Sequence, residues 1–321
     1  MSQRNGIYSL SICGRAILDV HSLNNEGGEG NQIATRMVSV VYRDRNSGEY
    51  KLATVNAISG DMFKHIQAEH LYLLAKGNGF PLCKGCQKFS ASRILDDSDF
   101  MGNLAKTDGD VINDLLGKCI IDDLAGNLIA KGNRAIPRKS VAEFGWVVGV
   151  PEYTTTESYF HVRYAAERGE RAEEDQQQAI FHRPASSGVY AIVANFEMAR
   201  IGFNDISQQY SIAEEEREKR YLAFLESILY TFVEPNGAMR GTQNPHIVEF
   251  EGAVTVTSQV MPAPALSPLE GNYRQEVERV ATALNGLKPG AVVVHRFDSM
   301  GQFAEVMKGL IQSTRPYKLA W

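Results

Sequence analysis

An alternation of apolar and polar side chains near the start of the chain constrains the fold more than any other feature. In residues 7–20, IYSLSICGRAILDV, side chains two positions apart share the same character. Successive side chains of a β-strand point to opposite faces, so this period predicts a half-buried strand. The predicted core face comprises Leu10, Ile12, Ala16, Leu18 and Val20, and the predicted polar face comprises Ser9, Ser11, Arg15 and Asp19.

Further strand-like and helix-like segments follow without a regular repeat. The later predicted strands are rich in β-branched and aromatic residues. They cover residues 37–43, 50–59, 157–165, 188–199, 247–260 and 291–297. The predicted helices begin near residues 59, 211, 272 and 299. Runs of strands interrupted by single helices favour an α+β fold over a doubly wound sheet.

Two of the helices have clear end signals. The first is predicted to start at Ser59, a capping residue, and to end in the glycines of residues 77–79. The second begins at a capping box formed by Ser211 and Glu214 and stops before Pro235. Each carries an apolar stripe at helical period. The stripes are Phe63, Ile66, His70, Leu73 and Leu74 in the first helix, and Tyr221, Phe224, Leu225, Ile228 and Phe232 in the second.

Two segments interrupt this pattern. Residues 77–150 are rich in Gly, Asp and Lys with only short periodic stretches, so we interpret them as an insertion folded over the core. Residues 167–187 are charged and polar but lie between two predicted strands, which indicates a long protruding hairpin. The 321 residues, 44% of them hydrophobic, suffice for one elaborated domain or two.

The charge balance bears on the class of partner. A net charge of −5 argues mildly against nucleic acid, whose partners usually have a basic excess. The acidic residues are clustered at 170–175 and 214–216, so a local basic groove can coexist with an acidic exterior. The chain shows no secretory signal and no apolar run near the ~20 residues that span a bilayer. We therefore expect a cytoplasmic protein without membrane contact.

Two Gly-rich loops, 21–36 and 235–246, carry the residues best suited to a ligand. Glycines let the backbone approach a ligand closely, while amides and a guanidinium suit a sugar–phosphate chain bound without base specificity. The residues concerned are Asn24, Asn25, Asn31, Gln32 and Arg36 in the first loop, and Gly237, Met239, Arg240, Gly241 and Gln243 in the second. The alternative interpretation is that both are ordinary mobile loops.

A Cys-x-x-Cys pair inside the insertion is a candidate half of a zinc site. Cys83 and Cys86 have the required spacing, Cys119 offers a third thiolate, and His65 or His70 would supply the fourth ligand. The alternative is a set of reduced, partly buried thiols without metal.

Residues for catalysis are few. The sequence contains no Gly-x-Ser-x-Gly nucleophile elbow. Asp19 and His21 are close enough in sequence for acid–base work, but such a pair at a strand end is more often a satisfied polar cluster.

Several segments, taken together and in order, resemble a known family. They are LSICGRAILDVHSLNNEGGEGNQIATR, VNAISGDMFKHIQAEHLYLLA, GNRAIPRKSVAEFGWVVG, SYFHVRYA and QQQAIFHRPASSGVYAIVANFEM. The sequence resembles the backbone subunit of type I CRISPR Cascade complexes, in the DevR-type branch found in I-A and I-B systems.

The resemblance implies an architecture and a role. Residues 1–76 and 151–321 would form an RRM-like (ferredoxin-like) palm, with a finger insertion at 77–150 and a thumb hairpin at about 160–188. Copies would assemble head to tail along the spacer of a crRNA, which pairs with the target DNA strand. Further partners would be the 5′-handle-binding, large and small Cascade subunits. The role is structural, without catalysis or a required cofactor.

The residues and the resemblance together predict the RNA contacts. They are expected from both loops, from the start of the first helix, from the exit of the insertion and from the thumb. The predicted residues are Asn24, Asn31, Gln32, Arg36, Ser59, Lys64, Arg138, Lys139, Phe181, Arg183, Met239 and Arg240.

Two other classes of function compete with this hypothesis. Related backbone subunits of type III complexes cleave RNA with a loop aspartate, a part that Asp61 or Asp19 would play here, and a guide-processing ribonuclease has the same fold. The remaining class is an unrelated small-molecule enzyme of ferredoxin-like fold.

Overall fold

The computed structural model describes residues 4–44, 46–163 and 179–320. The strands are β1 (Asn5–Ile7), β2 (Ser9–His21), β3 (Asn25–Glu29), β4 (Gln32–Thr35), β5 (Met37–Arg43), β6 (Tyr50–Ile58), β7 (Asn127–Lys131), β8 (Arg134–Arg138), β9 (Ala142–Phe144), β10 (Val147–Arg163), β11 (Ala179–Phe196), β12 (Phe203–Asn204), β13 (Gln209–Tyr210), β14 (His246–Thr257), β15 (Val292–Phe297) and β16 (Thr314–Pro316). The helices are α1 (Gly60–Asn78), α2 (Ser98–Gly102), α3 (Asp108–Lys118), α4 (Ile120–Ala125), α5 (Glu214–Val233), α6 (Tyr273–Leu287) and α7 (Met300–Ser313).

One large sheet organises the described part of the chain. Its strands follow one another in the order β15-β14-β2-β11-β10-β6-β5, while β9 and the β3–β4 pair attach beside β11. Strand β2 lies at the centre, antiparallel to β11 on one side and to β14 on the other. A mainly antiparallel sheet with helices outside it confirms the predicted α+β class.

Helices α1, α5 and α7 pack against the sheet over a largely aromatic core. The ring of Phe232 stacks on that of Phe250 with centroids 5.2 Å apart, and Phe303 approaches Phe250 at 5.1 Å. Leu10 and Ile12 of β2 are buried in the same core, as the alternation predicts. Burying each such side chain contributes roughly 1.5–3 kcal/mol to stability.

The opposite, polar face of β2 is also covered by other elements. The prediction of a half-buried strand with this face in solvent is therefore wrong. Helix α6 and the connector that precedes it lie over this face, where Cys13 packs. The hydroxyl of Ser11 donates to the carbonyl of Pro264 at 2.8 Å, and Nε of Arg15 donates to that of Pro268 at 2.7 Å. Carbonyls of a distant segment therefore satisfy the Ser11 hydroxyl and the Nε of Arg15.

Strand β2 ends in a bulge that changes which side chains face the core. Leu18 pairs with Gly188 of β11 and His21 with Ser186, so β2 carries one extra residue between these pairs. Val20 adopts a φ of 55° and is 48% exposed, which makes its predicted core position wrong. A bulge changes the direction of the side chain that follows it, and here the side chain of His21 becomes buried.

The helix ends confirm one prediction and correct another. Ser59 caps α1 and Gly79, with a φ of 71°, ends it, although Leu73 of the predicted stripe is exposed. Helix α5 begins after Ala213 without a side-chain cap, because the hydroxyl of Ser211 donates to a carboxamide of α3 instead. The predicted capping box is therefore wrong. No helix in the described ranges has the length and apolarity needed to cross a bilayer.

A buried ionic network joins the segment between α1 and β9 to the rest of the molecule. The carboxylate of Asp123 lies 2.7 Å from Arg138 and 3.0 Å from Arg220 of α5, and all three side chains are buried. Arg138 also donates to the carbonyl of Phe203 at 2.7 Å. Because these partners come from distant parts of the chain, the segment is packed onto the core, not separate from it.

Candidate nucleic-acid interface

The predicted first loop folds as a small hairpin tied to β11. Strands β3 and β4 pair with each other, and Gln32 of β4 lies beside His182 of β11 in parallel register. The amide of His182 donates to the carbonyl of Asn31 at 2.8 Å. The exposed side chains of Asn31 and Gln32 are thereby held at the base of the long β10–β11 hairpin.

The base of this small hairpin is fixed to the start of helix α1. The amide of Ser59 donates to Oδ1 of Asn24 at 2.7 Å, and the amide of Arg36 donates to the carbonyl of Asn24 at 3.2 Å. The Asn24 side chain is only 6% exposed. Its predicted RNA contact is wrong, because this carboxamide is used to position the two elements.

Three of the predicted residues line one cleft of about 290 Å³ at the start of α1. Ser59 and Lys64 come from α1 or its cap, and Lys139 comes from the segment between β8 and β9. Trp146, which is 45% exposed, completes the cleft and was not predicted. Residues far apart in sequence therefore meet at one site.

Electrostatically, the cleft combines two lysines and a helix N-terminus with the carboxylates of Asp61 and Glu143. Burial, reinforced by the charge of Arg93, lowers the pKa of Lys64. Lys139 lies 2.8 Å from Glu143, and this contact raises the pKa of Lys139. The exposed lysine–glutamate pair is worth little and exchanges readily with another anion. The first turn of α1 adds partial positive charge, which favours phosphate.

Arg36 and Trp146 form a flat surface next to the cleft. The guanidinium carbon of Arg36 lies 5.5 Å from the indole centroid, and its Nε lies 2.6 Å from a carboxylate oxygen of Glu26. Both partners of this ion pair are partly exposed, so the pairing contributes little to stability. A stacked guanidinium and indole offer a base or ribose an aromatic platform and a charge together.

The second predicted loop contacts the first. The amide of Ala238 donates to the carbonyl of Leu23 at 3.0 Å, and a Cβ on Gly237 would lie 2.6 Å from the Leu23 side chain. Only glycine allows this approach. Met239 and Arg240 follow on the surface, where Arg240 lies 3.4 Å from Glu234.

The β10–β11 hairpin extends beyond the sheet next to both loops. Nε2 of Gln243 in the second loop donates to the carbonyl of Pro184 at 2.8 Å, and Nε of the partly exposed Arg183 has no hydrogen-bond partner among the described residues. The rings of Phe160 and His182 lie 4.4 Å apart, and Phe160 is 70% exposed. The predicted Phe181 side chain and the hairpin tip, residues 164–178, lie outside the described residues.

Comparison with known proteins assigns the chain to a family. Residues 12–278 match the family model for the CRISPR-associated negative auto-regulator DevR/Csa2. The chain belongs to the DevR/Csa2 family. The predicted resemblance is thereby confirmed.

Curated relatives and a solved structure agree with this assignment. The chain is 25% identical over 279 residues to the CRISPR-associated protein Cas7/Csa2 1 of Saccharolobus solfataricus, covering 84% of this chain and 85% of the relative. It is 23% identical over 317 residues to the CRISPR-associated protein Cas7/Cst2/DevR of Methanocaldococcus jannaschii, covering 92% and 94%. A chain of a CRISPR RNA-guided surveillance complex, pre-nicking, has the same fold with a TM-score of 0.50, 12% identity and coverage of 95% and 99%.

Arg138 is not available to a ligand of this DevR/Csa2 protein. Its side chain is 2% exposed and saturated by Asp123, by Asp205 at 3.1 Å and by backbone carbonyls. The predicted RNA contact at Arg138 is wrong. Its neighbour Lys139 points into the cleft, so the buried arginine fixes the strand that presents the lysine.

The residues of the nuclease hypothesis do not form a cluster. His21 is buried against the ring of Tyr190, and burial lowers the pKa of His21 to about 4. Asp19, two residues earlier, is partly exposed. Asp61 is exposed at the cleft mouth, in the first turn of α1. Among the described residues no hydrogen bond joins Asp19 to His21.

The predicted zinc candidates come together, but with a different fourth group. Cys83, Cys86 and Cys119 converge on Asp122, which the sequence did not indicate. His70 instead makes a 2.8 Å hydrogen bond with the carbonyl of Glu234 at its Nε2. The histidine part of that prediction is wrong.

Proposed function

We propose that this DevR/Csa2 protein is a non-catalytic backbone subunit of a type I CRISPR surveillance complex that holds the sugar–phosphate chain of crRNA. The observation that carries the proposal is the cleft at the start of α1. Ser59, Lys64 and Lys139 meet there, beside the Arg36–Trp146 surface. Both loops and the long hairpin border the same region.

The chemistry of this site suits a phosphate backbone better than base edges. A helix N-terminus and lysines attract phosphate without regard to sequence, and the exposed amides of Asn31 and Gln32 can serve ribose and phosphate oxygens. Sequence recognition is then left to pairing between the guide and the target DNA strand, as in other RNA-guided effectors. A subunit that must coat any spacer needs this lack of base preference.

Aromatic side chains on the β10–β11 hairpin support the proposal that this hairpin acts as the thumb. The exposed ring of Phe160 and the partly buried ring of His182 form an aromatic pair next to Asn31 and Gln32. Exposed rings stack on bases of any identity, with about 1–3 kcal/mol per base. We propose that this hairpin separates or wedges nucleotides at regular intervals along the guide.

Assembly follows from the same proposal. Copies related by a repeated, non-closing contact form an open helical stack, in which acidic surfaces of one copy can face basic surfaces of the next. Such pairing would reconcile the net charge of −5 with RNA binding. Handle-binding, large and small subunits would complete the complex. None of the four cysteines forms a disulfide, which is consistent with the predicted cytoplasmic location.

Asp61 is the residue of the ribonuclease hypothesis that lies at the proposed RNA site. Asp61 is exposed at the cleft, where it would lie near a bound RNA. Incubating the assembled complex with cognate RNA tests this directly. The structural proposal predicts intact RNA with the wild type and with Asp61→Ala. Cleavage that disappears in Asp61→Ala would make the protein a nuclease.

Charge reversal in the cleft tests the main proposal. The protein is co-expressed with a CRISPR array and its partner subunits, and the RNA retained after size exclusion is quantified. We expect the wild type and Lys308→Glu, an exposed lysine of α7, to retain guide RNA. The Lys64→Glu, Lys139→Glu double variant should lose most of it. Equal RNA in all three proteins would contradict the proposed site.

A further inference from the structure

Three thiols and one carboxylate converge inside the segment between α1 and β9. Sγ of Cys83, Cys86 and Cys119 and a carboxylate oxygen of Asp122 all lie within 4.8 Å of one another. All four side chains are at most 1% exposed. None of these four residues lines the RNA cleft.

The Cys83–Cys86 turn has the geometry of a metal-binding knuckle. The amide of Cys86 donates to Sγ of Cys83 at 3.3 Å, which brings both sulfurs to the same side of the turn. A Cβ on Gly85 would lie 1.9 Å from the carbonyl oxygen of Arg93, so position 85 accepts only glycine. The turn is therefore built tightly against the chain that follows it.

The carboxylate of Asp122 is held so that one oxygen faces the sulfurs. Oδ2 lies 3.3 Å from Sγ of Cys83 and 3.5 Å from Sγ of Cys86. Oδ1 accepts hydrogen bonds from Nδ2 of Asn127 at 2.7 Å and from the amide of Ile94 at 3.4 Å. Such outer contacts orient a ligating carboxylate and are a regular feature of metal sites.

Without a cation this arrangement is costly. A buried carboxylate needs a charge partner or strong hydrogen-bond donors, and thiols are weak donors. No lysine, arginine or histidine within the described residues is paired with Asp122. The neighbouring Asp123, by contrast, is neutralised by Arg138 and Arg220. Asp122 therefore has the surroundings of a ligand and lacks those of an ion-pair partner.

We propose that Cys83, Cys86, Cys119 and Asp122 bind a structural zinc ion. Zinc takes four ligands in tetrahedral sites and accepts thiolates together with a carboxylate. Calcium and magnesium require oxygen ligands alone, and iron–sulfur clusters are ordinarily held by four cysteines. Complete burial leaves no open position for substrate, so the site is structural and not catalytic.

The ion would organise a segment that has little regular structure of its own. Between α1 and α2 the chain forms only two short 3-10 turns, Cys86–Lys88 and Arg93–Asp96. Zinc would join this stretch to α4, which begins directly after Cys119. The ring of Phe89 lies 5.4 Å from that of His65 in α1. The metal would therefore also brace the first half of α1, next to Lys64 in sequence.

Metal content of the full-length chain tests this inference independently of RNA binding. The protein is purified through a tag that contains no metal, without chelators, and analysed by mass spectrometry of the elements. We expect about one zinc ion per chain, as in other closed four-ligand sites. Cys86→Ser should lose it. Cys13→Ser is the matched control, because Cys13 is also a buried thiol but packs under α6 outside the cluster.

A second measurement decides the case if Cys86→Ser fails to fold. The wild-type chain is stripped of metal and titrated with Co²⁺, which gives a thiolate-to-cobalt charge-transfer band when bound by cysteines. We expect this band, its displacement by zinc, and retention of zinc by Asp122→Cys. A folded wild-type chain that contains no zinc and gives no charge-transfer band would overturn the inference.

Discussion

The guanidinium of Arg36 lies over the indole ring of Trp146, 5.5 Å from its centroid, at the edge of the cleft that begins helix α1. We predict that Trp146→Ala weakens guide RNA binding about tenfold, because a stacking surface worth ~1–3 kcal/mol per base is lost. Fluorescence anisotropy with labelled RNA measures the change in Kd. Leu287→Ala, which removes an apolar side chain that is 77% exposed on α6, should have no effect.

Asn24 and Asn31 lie in one hairpin but should respond differently to mutation. Asn24→Ala removes the acceptor of the Ser59 amide, and we expect a loss of about 1–2 kcal/mol in the free energy of unfolding as well as weaker RNA binding. Asn31→Ala should weaken binding with unchanged stability, because its side chain is exposed. Urea unfolding and anisotropy separate the two effects. Equal stability losses would show that Asn24 is not the positioning residue.

Asp123 should be among the residues on which folding depends most. Replacing it with Asn removes the buried charge that Arg138 and Arg220 share and leaves each arginine only a partly exposed partner, Asp205 or Glu216. We expect this to cost about 3–5 kcal/mol in urea unfolding. Asp205→Asn is the control, since Asp205 pairs with Arg138 from a partly exposed position. That change should cost less than about 1 kcal/mol. Similar losses for both would contradict the assigned network.

The buried His21 predicts a loss of stability in acid. Burial holds its pKa at about 4 against an ordinary value of 6.5, so the unfolded chain binds the proton more readily. This contribution to stability is complete above pH 6.5 and falls as the pH drops towards 4. At ~1.4 kcal/mol per pKa unit the loss reaches about 3 kcal/mol. The pH dependence of unfolding should be shallower over this window in His21→Gln.

Asn127 should affect the proposed zinc site without being a ligand. Asn127→Ala removes the donor to Oδ1 of Asp122, and we expect zinc affinity to fall about 10- to 100-fold, as for other outer-shell contacts. Competition with a chelating dye measures the affinity. Asn103→Ala, in the same segment but bonded only to a helix carbonyl, serves as control. An unchanged zinc affinity in Asn127→Ala would show that Asn127 does not orient the carboxylate of Asp122.

Local patterns were sufficient to predict the sheet and the main helices. The alternation in residues 7–20 identified the central strand, and the stripe from Tyr221 to Phe232 identified α5. Those signals are local, because they arise from the period of one element. The bulge at Val20 and the missing cap at Ser211 depend on partners from other elements. No pattern within the segment carries that information.

The candidate RNA site was predicted only in part, because local patterns do not show which segments meet in the fold. Lys64 and Lys139 were predicted from separate segments, and the fold brings them into one cleft. Trp146 was missed because it lies between two strands without a periodic pattern, and Asp122 was missed because acidic residues are common in its segment. Arg138 was predicted to contact RNA because its buried partner Asp123, fifteen positions earlier, could not be recognised from the sequence. Residue type alone does not distinguish a buried arginine from an exposed one.

Ultraviolet crosslinking of guide RNA in the assembled complex, followed by peptide mapping, tests the central claim most directly. Bound at the proposed interface, the RNA should crosslink to peptides containing Trp146, Phe160 and the β3–β4 hairpin. Crosslinks confined to α6 and β15, across the sheet from the cleft, would contradict the proposed interface.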